Sequence, residues 1–244
     1  MKLIIDIGNS CSKVAFFEQS LVGEVFRYDF LTAERLERLL SSHPDTSCGI
    51  LSCVGSLQQE TVSFLKSRLP FFMVLNFQSP VPIVNAYETP ESLGNDRLAA
   101  AVAGHAAFPN DNVLVIDAGT CITYDFVDFN GVYHGGAIAP GIDMRYNALF
   151  SSTALLPKLY EVKNLSVLGQ NTSRCIQSGV VNGMIFEIEG FIDSLSRIHK
   201  HLKVIFTGGY GSFFANSVKF KTFVRENMVL EGLNIILQFN ENKL

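Results

Sequence analysis

The sequence predicts an α/β protein made of two similar halves, each with a mixed sheet flanked by helices, and a cleft between the halves. A buried apolar strand that ends in an Asp-x-Gly turn occurs near the start, at residues 3–10, and again at residues 113–120. Each copy opens a run of three predicted strands, and in the first half alternating helices and strands follow. A duplicated domain is the simplest interpretation, with halves at 1–110 and 111–244.

In the first half, a strand meander precedes the helices. Thr32 is the predicted N-cap of the first helix, and Glu34 and Arg38 form an i,i+4 pair on it. Residues 76–95 are polar and rich in proline and asparagine, which indicates an irregular segment. The predicted strands are 3–7, 14–17, 22–30, 48–54 and 71–75, and the predicted helices are 31–40, 58–69 and 97–108.

The second half repeats the opening strand and ends with a helix. Residues 173–201 are predicted to form one long helix, although three glycines lie in it. The other predicted elements are strands 113–117, 122–129, 132–138 and 203–207 and the closing helix 230–239.

The composition of the 244 residues restricts the class of protein. Hydrophobic residues make up 48% and charged residues 17%, so the chain can bury a large core. The net charge of −4, without a basic block, disfavours a dedicated nucleic-acid-binding protein. We find no stretch that is apolar enough for a signal peptide or a membrane span, and the five cysteines without a C-x-x-C pair suit reduced thiols. We therefore expect a cytoplasmic protein that binds neither nucleic acid nor membrane.

The segment Asp6–Lys13 is the first candidate phosphate site. An aspartate at a strand end can hold Mg²⁺ through water, and Gly8 has no Cβ, so backbone N–H groups of the turn can approach phosphate oxygens. Asn9 and Ser10 add donors, and Lys13 adds a positive charge. An ordinary hairpin turn explains this copy, taken alone, equally well.

The second copy, Asp117–Thr120, supports phosphate binding more strongly, because two such turns after two buried strands are hard to explain by chance. A third element, Thr207–Gly211, has glycines directly after a predicted strand, where a nucleotide base or ribose can lie against the backbone. The P-loop pattern and the dinucleotide-binding pattern after a strand are both absent from the sequence. A nucleotide site here is therefore of another type.

Together these residues resemble the type III pantothenate kinases, a branch of the superfamily that includes actin and the sugar kinases. The resemblance covers essentially the whole chain, and the second and fourth of its blocks separate this branch from its relatives. Ser10 stands where the family usually has threonine, and it keeps the hydroxyl. The blocks are Asp6-Ile7-Gly8-Asn9-Ser10-x-x-Lys13, Gly94-Asn95-Asp96-Arg97, Asp117-Ala118-Gly119-Thr120-x-x-Thr123-x-Asp125 and Gly135-Gly136-Ala137-Ile138-Ala139-Pro140-Gly141.

The resemblance implies ATP-dependent phosphorylation of pantothenate to 4′-phosphopantothenate, the first step of coenzyme A biosynthesis. It implies a duplicated RNase H-like fold, as in the actin-like ATPases, and dependence on Mg²⁺ and on a monovalent cation such as K⁺ or NH₄⁺. It also implies a homodimer with the active site near the interface.

The resemblance further assigns the substrate residues. Asp96 matches the catalytic aspartate and is the candidate general base, although its position alone favours a helix N-cap. Arg97 is assigned to substrate binding, with a surface ion pair as the alternative, and Tyr87 could instead be a loop aromatic that caps the core. Thr172 matches a threonine that contacts pantothenate from the partner subunit, and it could also cap the long helix. The pantothenate set is Tyr87, Gly94, Asn95, Asp96, Arg97 and Thr172.

Nucleotide and metal residues follow from the same resemblance. Asp117 matches the family's monovalent-cation ligand, and Asp6 is the candidate for Mg²⁺. The ATP set is Asp6, Ile7, Gly8, Asn9, Ser10, Cys11, Ser12, Lys13 and Thr120.

Two alternative functions stay open. One is a different small-molecule phosphotransferase on the same fold, which the Gly94–Arg97 block disfavours. The other is a non-catalytic transcriptional accessory factor, which the acidic charge and the two intact phosphate motifs disfavour.

Overall fold

A computed structural model describes residues 1–55, 59–163 and 166–241. The chain divides into two units, whose bounds differ from the division expected at residue 110. The C-terminal helix, expected in the second half, belongs to the first unit, because it packs against the helix that begins at Asn95. Unit 1 contains Met1–Pro109, Asn130–His134 and Asn227–Leu244, and unit 2 contains Asn110–Phe129 and Gly135–Glu226.

Unit 1 contains a five-stranded mixed sheet. Its strands are β1 (Lys2–Ile7), β2 (Ser12–Glu18), β3 (Leu21–Tyr28), β4 (Cys48–Cys53) and β5 (Phe71–Val74), and its first helices are α1 (Ala33–Ser42) and α2 (Gln59–Arg68). The strand order is β3-β2-β1-β4-β5, with β1 antiparallel to β2 and parallel to β4. The helix predicted at 58–69 is confirmed over its described residues, and Gln58 lies outside them.

The first helix forms where its sequence signals predict. The Thr32 hydroxyl oxygen accepts a hydrogen bond from the Arg35 backbone N–H at 3.3 Å, which confirms Thr32 as the N-cap. Glu34 and Arg38 form the expected i,i+4 ion pair. The buried face of α1 joins a core formed with β1, β2, β4 and α2. Its buried members include Leu3, Ile5, Val14, Phe16, Leu36, Leu51 and Leu65.

The rest of unit 1 is built on two helices, α3 (Asn95–Ala107) and α7 (Met228–Glu241). Eight consecutive residues of α3 are buried, from Arg97 to Gly104. The alanines of α3 let the two helices come close, and Gly232 of α7 lies directly against the Ala99 carbonyl. The segment 76–95 is largely irregular, as predicted: before α3 begins at Asn95, it contains only the short strand β6 (Val84–Asn85) and one 3₁₀ turn.

Unit 2 repeats the sheet arrangement of unit 1. Its elements are β7 (Val113–Ala118), β8 (Cys121–Val127), β9 (Val132–Pro140, whose first three residues belong to unit 1), α4 (Ile142–Ser151), α5 (Thr172–Ile198), β10 (Lys203–Thr207), α6 (Gly211–Ser217) and β11 (Phe223–Val224). The sheet has the order β6-β9-β8-β7-β10-β11, in which β6 pairs with the first residues of β9, and β7 is antiparallel to β8 and parallel to β10. Apart from β6, each strand corresponds in position to one strand of the first sheet, which confirms the duplicated mixed-sheet architecture.

Three elements of unit 2 were not predicted: α4, α6 and β11. α4 directly follows Gly141, and α6 begins at Gly211; glycine is a poor helix former, so neither start is indicated by the local sequence. In the described part of the chain, no helix combines the length and the apolar character that a membrane span requires.

We expect Gly232→Ala to destabilise the protein. A Cβ at this position would lie 1.8 Å from the Ala99 carbonyl oxygen and 2.5 Å from its carbon, so α3 and α7 would have to separate. Because backbone atoms cannot be moved by a rotamer change, we expect a loss of about 2–3 kcal/mol in the free energy of unfolding, measured by urea denaturation.

Gly190→Ala on α5 is the matched control, because a Cβ there meets no atom within 4 Å. Removing a helical glycine should raise the stability by about 0.5–1 kcal/mol. Equal stability of the two variants would show that the contact between α3 and α7 is not close.

Candidate active site

The first Asp-x-Gly turn joins β1 to β2 in unit 1. The Gly8 N–H donates to the Cys11 carbonyl at 3.1 Å and closes the turn, and Asn9 and Ser10 are exposed at its tip. Asp6 and Lys13 are directly opposite each other on the paired strands, so their side chains share one face of the sheet. The structure therefore brings the carboxylate, the ammonium group and the glycine turn of this motif together.

The surroundings of Asp6 are largely buried. Asp6 is 7% exposed, and its partner on the other side, in β4, is the fully buried Ser52. One position further along these strands, Cys53 is next to Ile7. Burial, and then the charge of Asp6, raise the pKa of the Cys53 thiol, so this thiol stays protonated near neutral pH.

The second turn joins β7 to β8 in unit 2 and is one residue shorter. The Gly119 N–H donates to the Cys121 carbonyl at 3.0 Å. Asp117 is opposite Thr123, six positions further along the chain, whereas Asp6 is opposite Lys13, seven positions further along. The two motifs therefore occupy corresponding positions in their two sheets but differ in turn geometry. The Thr123 hydroxyl donates to Asp125 at 3.1 Å, and Asp125 is buried, so this carboxylate is held within the hairpin.

Two other glycine-containing segments of unit 2 pack directly on this second motif. A Cβ on Gly141 would lie 2.3 Å from the Thr120 carbonyl oxygen, and one on Gly208 would lie 2.3 Å from Asp117 Oδ1. Gly208 also has a φ of +85°, which favours glycine. The Tyr210 N–H donates to the Ala118 carbonyl at 3.0 Å. The structure therefore brings the end of the Gly135–Gly141 block and the Thr207–Gly211 element into contact with residues Asp117–Thr120.

The predicted substrate residues of unit 1 also come together. The Arg97 guanidinium lies 5.8 Å from the centre of the Tyr87 ring, and Tyr87 stacks on the buried Tyr133 at 6.2 Å. Asp96 Oδ1 accepts a hydrogen bond from the Arg97 N–H at 2.8 Å, and a Cβ on Gly94 would lie 2.5 Å from the same oxygen. Glycine at position 94 therefore leaves room for the Asp96 carboxylate.

Several alternative roles proposed from the sequence are wrong. The N-cap of α3 is Gly94, so Asp96 lies inside the first turn and is not the cap. Arg97 is only 7% exposed, so it is not a surface residue. Asn171 caps α5, because its side-chain oxygen accepts from the Arg174 N–H at 3.0 Å; Thr172 is the first helical residue and not the cap.

The remaining predicted residues have separate places. The Asn95 side chain donates to the Leu75 carbonyl at 3.0 Å, which holds the start of α3 on the end of β5. Thr172 is exposed in unit 2, on a polar surface depression that Lys163, Arg174 and Gln177 also line. Among the described residues, no three His, Cys, Asp or Glu side chains gather into a metal cluster. The oxygen donors at the two turns are single carboxylates, an arrangement that Mg²⁺ bound mainly by water and phosphate uses.

A hydrogen-bonded network that sequence analysis did not predict lies next to the second motif. The Arg145 side chain of α4 donates to the Pro140 carbonyl and to Glu187, and Tyr124 of β8 donates to the same Glu187. These four residues belong to four different elements. Nothing in their spacing predicts the contact, because Arg145 and Glu187 are far apart along the chain.

Comparison with solved structures defines the fold class of the protein. A glucokinase from an Antarctic psychrotroph matches with a TM-score of 0.53 and 12% identity over 98% of both chains. A protein from Campylobacter jejuni that is described as a Baf family transcriptional activator matches with a TM-score of 0.64 and 25% identity, over 98% of this chain and 99% of that one. With its two mixed sheets flanked by helices, the chain has the fold of the actin-like ATPases and sugar kinases.

Within this class, the chain belongs to the type III pantothenate kinases. The type III pantothenate kinase family model matches residues 2–194. The type III pantothenate kinase of Phocaeicola vulgatus is 44% identical over 242 residues and 99% of each chain. That of Flavobacterium johnsoniae is 40% identical over 241 residues and 98% of each chain. The family resemblance and the fold class inferred from the sequence are thereby confirmed, and the chain is a kinase.

Proposed function

We propose that this chain transfers the γ-phosphoryl group of ATP to the primary hydroxyl of pantothenate, in the first step of coenzyme A biosynthesis. Membership of the type III pantothenate kinases supports the reaction and the substrate. The structural observation that carries the proposal for the substrate site is the cluster of Tyr87, Asp96 and Arg97 in unit 1.

In this proposal Asp96 is the general base. Phosphoryl transfer needs an oriented nucleophile more than it needs covalent chemistry by the protein. An Asp96 oxygen would accept the proton of the pantothenate hydroxyl as the oxygen attacks the γ-phosphorus. The hydrogen bond from the Arg97 N–H supports this role, because it holds one carboxylate oxygen and so fixes the direction of the other.

Arg97 and Tyr87 would bind the rest of the substrate. Pantothenate carries a carboxylate, and a guanidinium group recognises carboxylates through paired hydrogen bonds. The Tyr87 ring beside Arg97, with Tyr133 behind it, gives the guanidinium a fixed apolar support. The backbone at Gly94 and Asn95 would complete this side of the site.

ATP would be bound by the residues of the first motif, Asp6–Lys13, and by Thr120 of the second. The glycine turns offer backbone N–H groups to the phosphates, and Lys13 offers a positive charge. Asp6 would hold Mg²⁺, and Asp117 would hold a monovalent cation such as K⁺ or NH₄⁺. These cations supply positive charge that offsets the charge of the phosphates. The carboxylate oxygens and their strand-end positions suit such hard cations.

We further propose a cytoplasmic homodimer in which Thr172 of one protomer contacts pantothenate near the interface. Thr172 is exposed at the start of α5. Unit 2 also exposes several large apolar side chains on α4 and in the segment between α4 and α5, which is typical of a surface that another chain covers. These exposed residues are Met144, Phe150, Leu155, Tyr160, Val167 and Leu168.

Asp96→Asn is expected to abolish most of the activity. The amide oxygen can still accept from the Arg97 N–H, so the fold is retained, but an amide cannot take the proton of the hydroxyl. We expect kcat to fall by about 10²–10⁴-fold with a small change in KM for pantothenate. Pantothenate-dependent release of ADP measures this, and mass spectrometry identifies 4′-phosphopantothenate.

The matched control is Asp193→Asn, which removes the carboxylate of a solvent-exposed i,i+4 pair with Arg197 on α5. It should retain wild-type rates, because such exposed pairs contribute little. Wild-type kcat in the folded Asp96→Asn variant would remove Asp96 from its role. Wild-type protein that phosphorylates a sugar and not pantothenate would refute the proposed substrate.

Leu155→Asp is expected to weaken the homodimer. Leu155 is 92% exposed, and a carboxylate there would be desolvated in an interface at a high cost. Sedimentation equilibrium should show a shift toward the monomer mass, with a higher KM for pantothenate because Thr172 is then lost from the site. Phe30→Asp, at a 78% exposed position in unit 1, is the control and should leave the dimer intact. A Leu155→Asp variant that remains fully dimeric would place the interface elsewhere.

A further inference from the structure

The second phosphate motif is in contact with a segment that has no chemistry of its own. Gly141 lies against the carbonyls of the motif: a Cβ there would be 2.3 Å from the Thr120 oxygen and 2.6 Å from the Gly119 oxygen. The position of the Pro140–Gly141 peptide therefore determines how far the motif can move. Any group that fixes this peptide also fixes the motif.

Arg145 is that group. Its Nε donates to the Pro140 carbonyl at 2.7 Å, and its backbone N–H donates to the Gly141 carbonyl at 3.0 Å. The side chain thus returns from the first turn of α4 to the residue immediately before Gly141. Both peptides that precede the helix are bonded to this one arginine.

The guanidinium is itself held from the other side. Its Nη2 lies 2.7 Å from Glu187 Oε2, and both side chains are largely buried, with exposures of 21% and 27%. Glu187 Oε1 accepts from the Tyr124 hydroxyl at 2.9 Å. Tyr124 is 1% exposed on β8, the strand that leaves the motif, and its ring stacks on Phe191 at 4.1 Å.

The network therefore has two ends on the same motif. One end is the Pro140–Gly141 peptide that rests on Gly119 and Thr120, and the other is Tyr124 on the strand that follows Thr120. We propose that Arg145 is a positioning residue for ATP binding, which acts with Glu187 to hold the Gly119–Thr120 turn in the conformation that binds phosphate. This inference rests on the proposed assignment of Thr120 to ATP.

Arginine is specifically required for this role. One guanidinium donates from Nε to a carbonyl and from Nη2 to a carboxylate at the same time. A lysine ammonium is a single point on a flexible stem, so it cannot bridge the two acceptors in the same planar arrangement. Lysine should preserve the charge of the site while it releases the Pro140 carbonyl or Glu187.

The test is the steady-state kinetics of Arg145→Lys in the full chain. ATP is varied at saturating pantothenate, and pantothenate is then varied at saturating ATP. We expect KM for ATP to rise by about tenfold, since a hydrogen bond to a charged group is lost, with KM for pantothenate within about twofold of wild type. Glu187→Gln keeps the shape of the side chain but loses its charge, and KM for ATP should rise by about threefold. Arg197→Lys, at a surface ion pair on α5, is the control and should leave both constants unchanged.

A purely structural role would give a different result. It would lower the melting temperature and change both KM values together, and that result would overturn the proposal. An unchanged KM for ATP in both Arg145→Lys and Glu187→Gln would overturn it too. If Arg145→Lys does not fold, Glu187→Gln decides alone.

Thr120→Ala distinguishes a failure of this inference from a failure of the assignment of Thr120 to ATP, on which the inference rests. If Thr120→Ala raises KM for ATP and Arg145→Lys does not, only the positioning role fails. If Thr120→Ala leaves KM for ATP unchanged, the assignment of the second motif to ATP fails as well.

Discussion

The structure around the second Asp-x-Gly motif, which we propose binds phosphate, depends on packing that leaves no room for a Cβ. Gly136, Gly141 and Gly208 approach this hairpin so closely that a Cβ on each would lie 1.5–2.3 Å from an atom of the hairpin, in each case a backbone carbonyl oxygen or the Asp117 carboxylate. A glycine in an ordered segment costs conformational entropy. Here that cost permits the contacts that fix the turn between β7 and β8. The backbone of these glycines can approach the hairpin this closely only because their side chain is a hydrogen atom.

The same constraint acts in unit 1, on the element that carries the proposed base. Asp96 and Arg97 lie in the first turn of α3, and α3 is positioned by α7 through the contact of Gly232 with Ala99. The C-terminal helix therefore supports the proposed substrate segment, Gly94–Arg97, although it contributes no residue to it. A kinase that relies on positioning more than on covalent chemistry benefits from such rigid support, since small displacements of the base or the substrate reduce the rate strongly.

Local sequence patterns predicted much of this fold. The apolar runs before Asp6 and Asp117 predicted β1 and β7, and the strand at Lys203–Thr207 has the bounds that were expected. The family resemblance grouped Tyr87 with the Gly94–Arg97 block, and in the structure the Tyr87 ring lies 5.8 Å from the Arg97 guanidinium. These features depend on neighbouring residues or on a motif that spans only a few positions, so a single sequence contains enough information for them.

Features that depend on distant contacts could not be predicted in the same way. The membership of α7 in unit 1 depends on its packing against α3, and the Arg145–Glu187 pair joins two helices that are separated along the chain. The cap of α5 was placed on Thr172 instead of Asn171 because both residue types are good caps, and only the hydrogen bond to Arg174 decides between them. α4 was not predicted, and the close contact of the preceding Gly141 with Thr120 joins residues that are distant along the chain.

The K⁺ dependence of the phosphorylation rate in Gly208→Ala tests most directly whether packing without a Cβ holds the second motif in its active form. A Cβ at position 208 would displace the Asp117 carboxylate, which we propose as the cation ligand. We expect the K⁺ concentration for half-maximal rate to rise by about tenfold, with KM for pantothenate unchanged. Gly209→Ala, where a Cβ meets no atom within 4 Å, should keep the wild-type K⁺ requirement. A folded Gly208→Ala variant with a wild-type K⁺ requirement would contradict this account of the site.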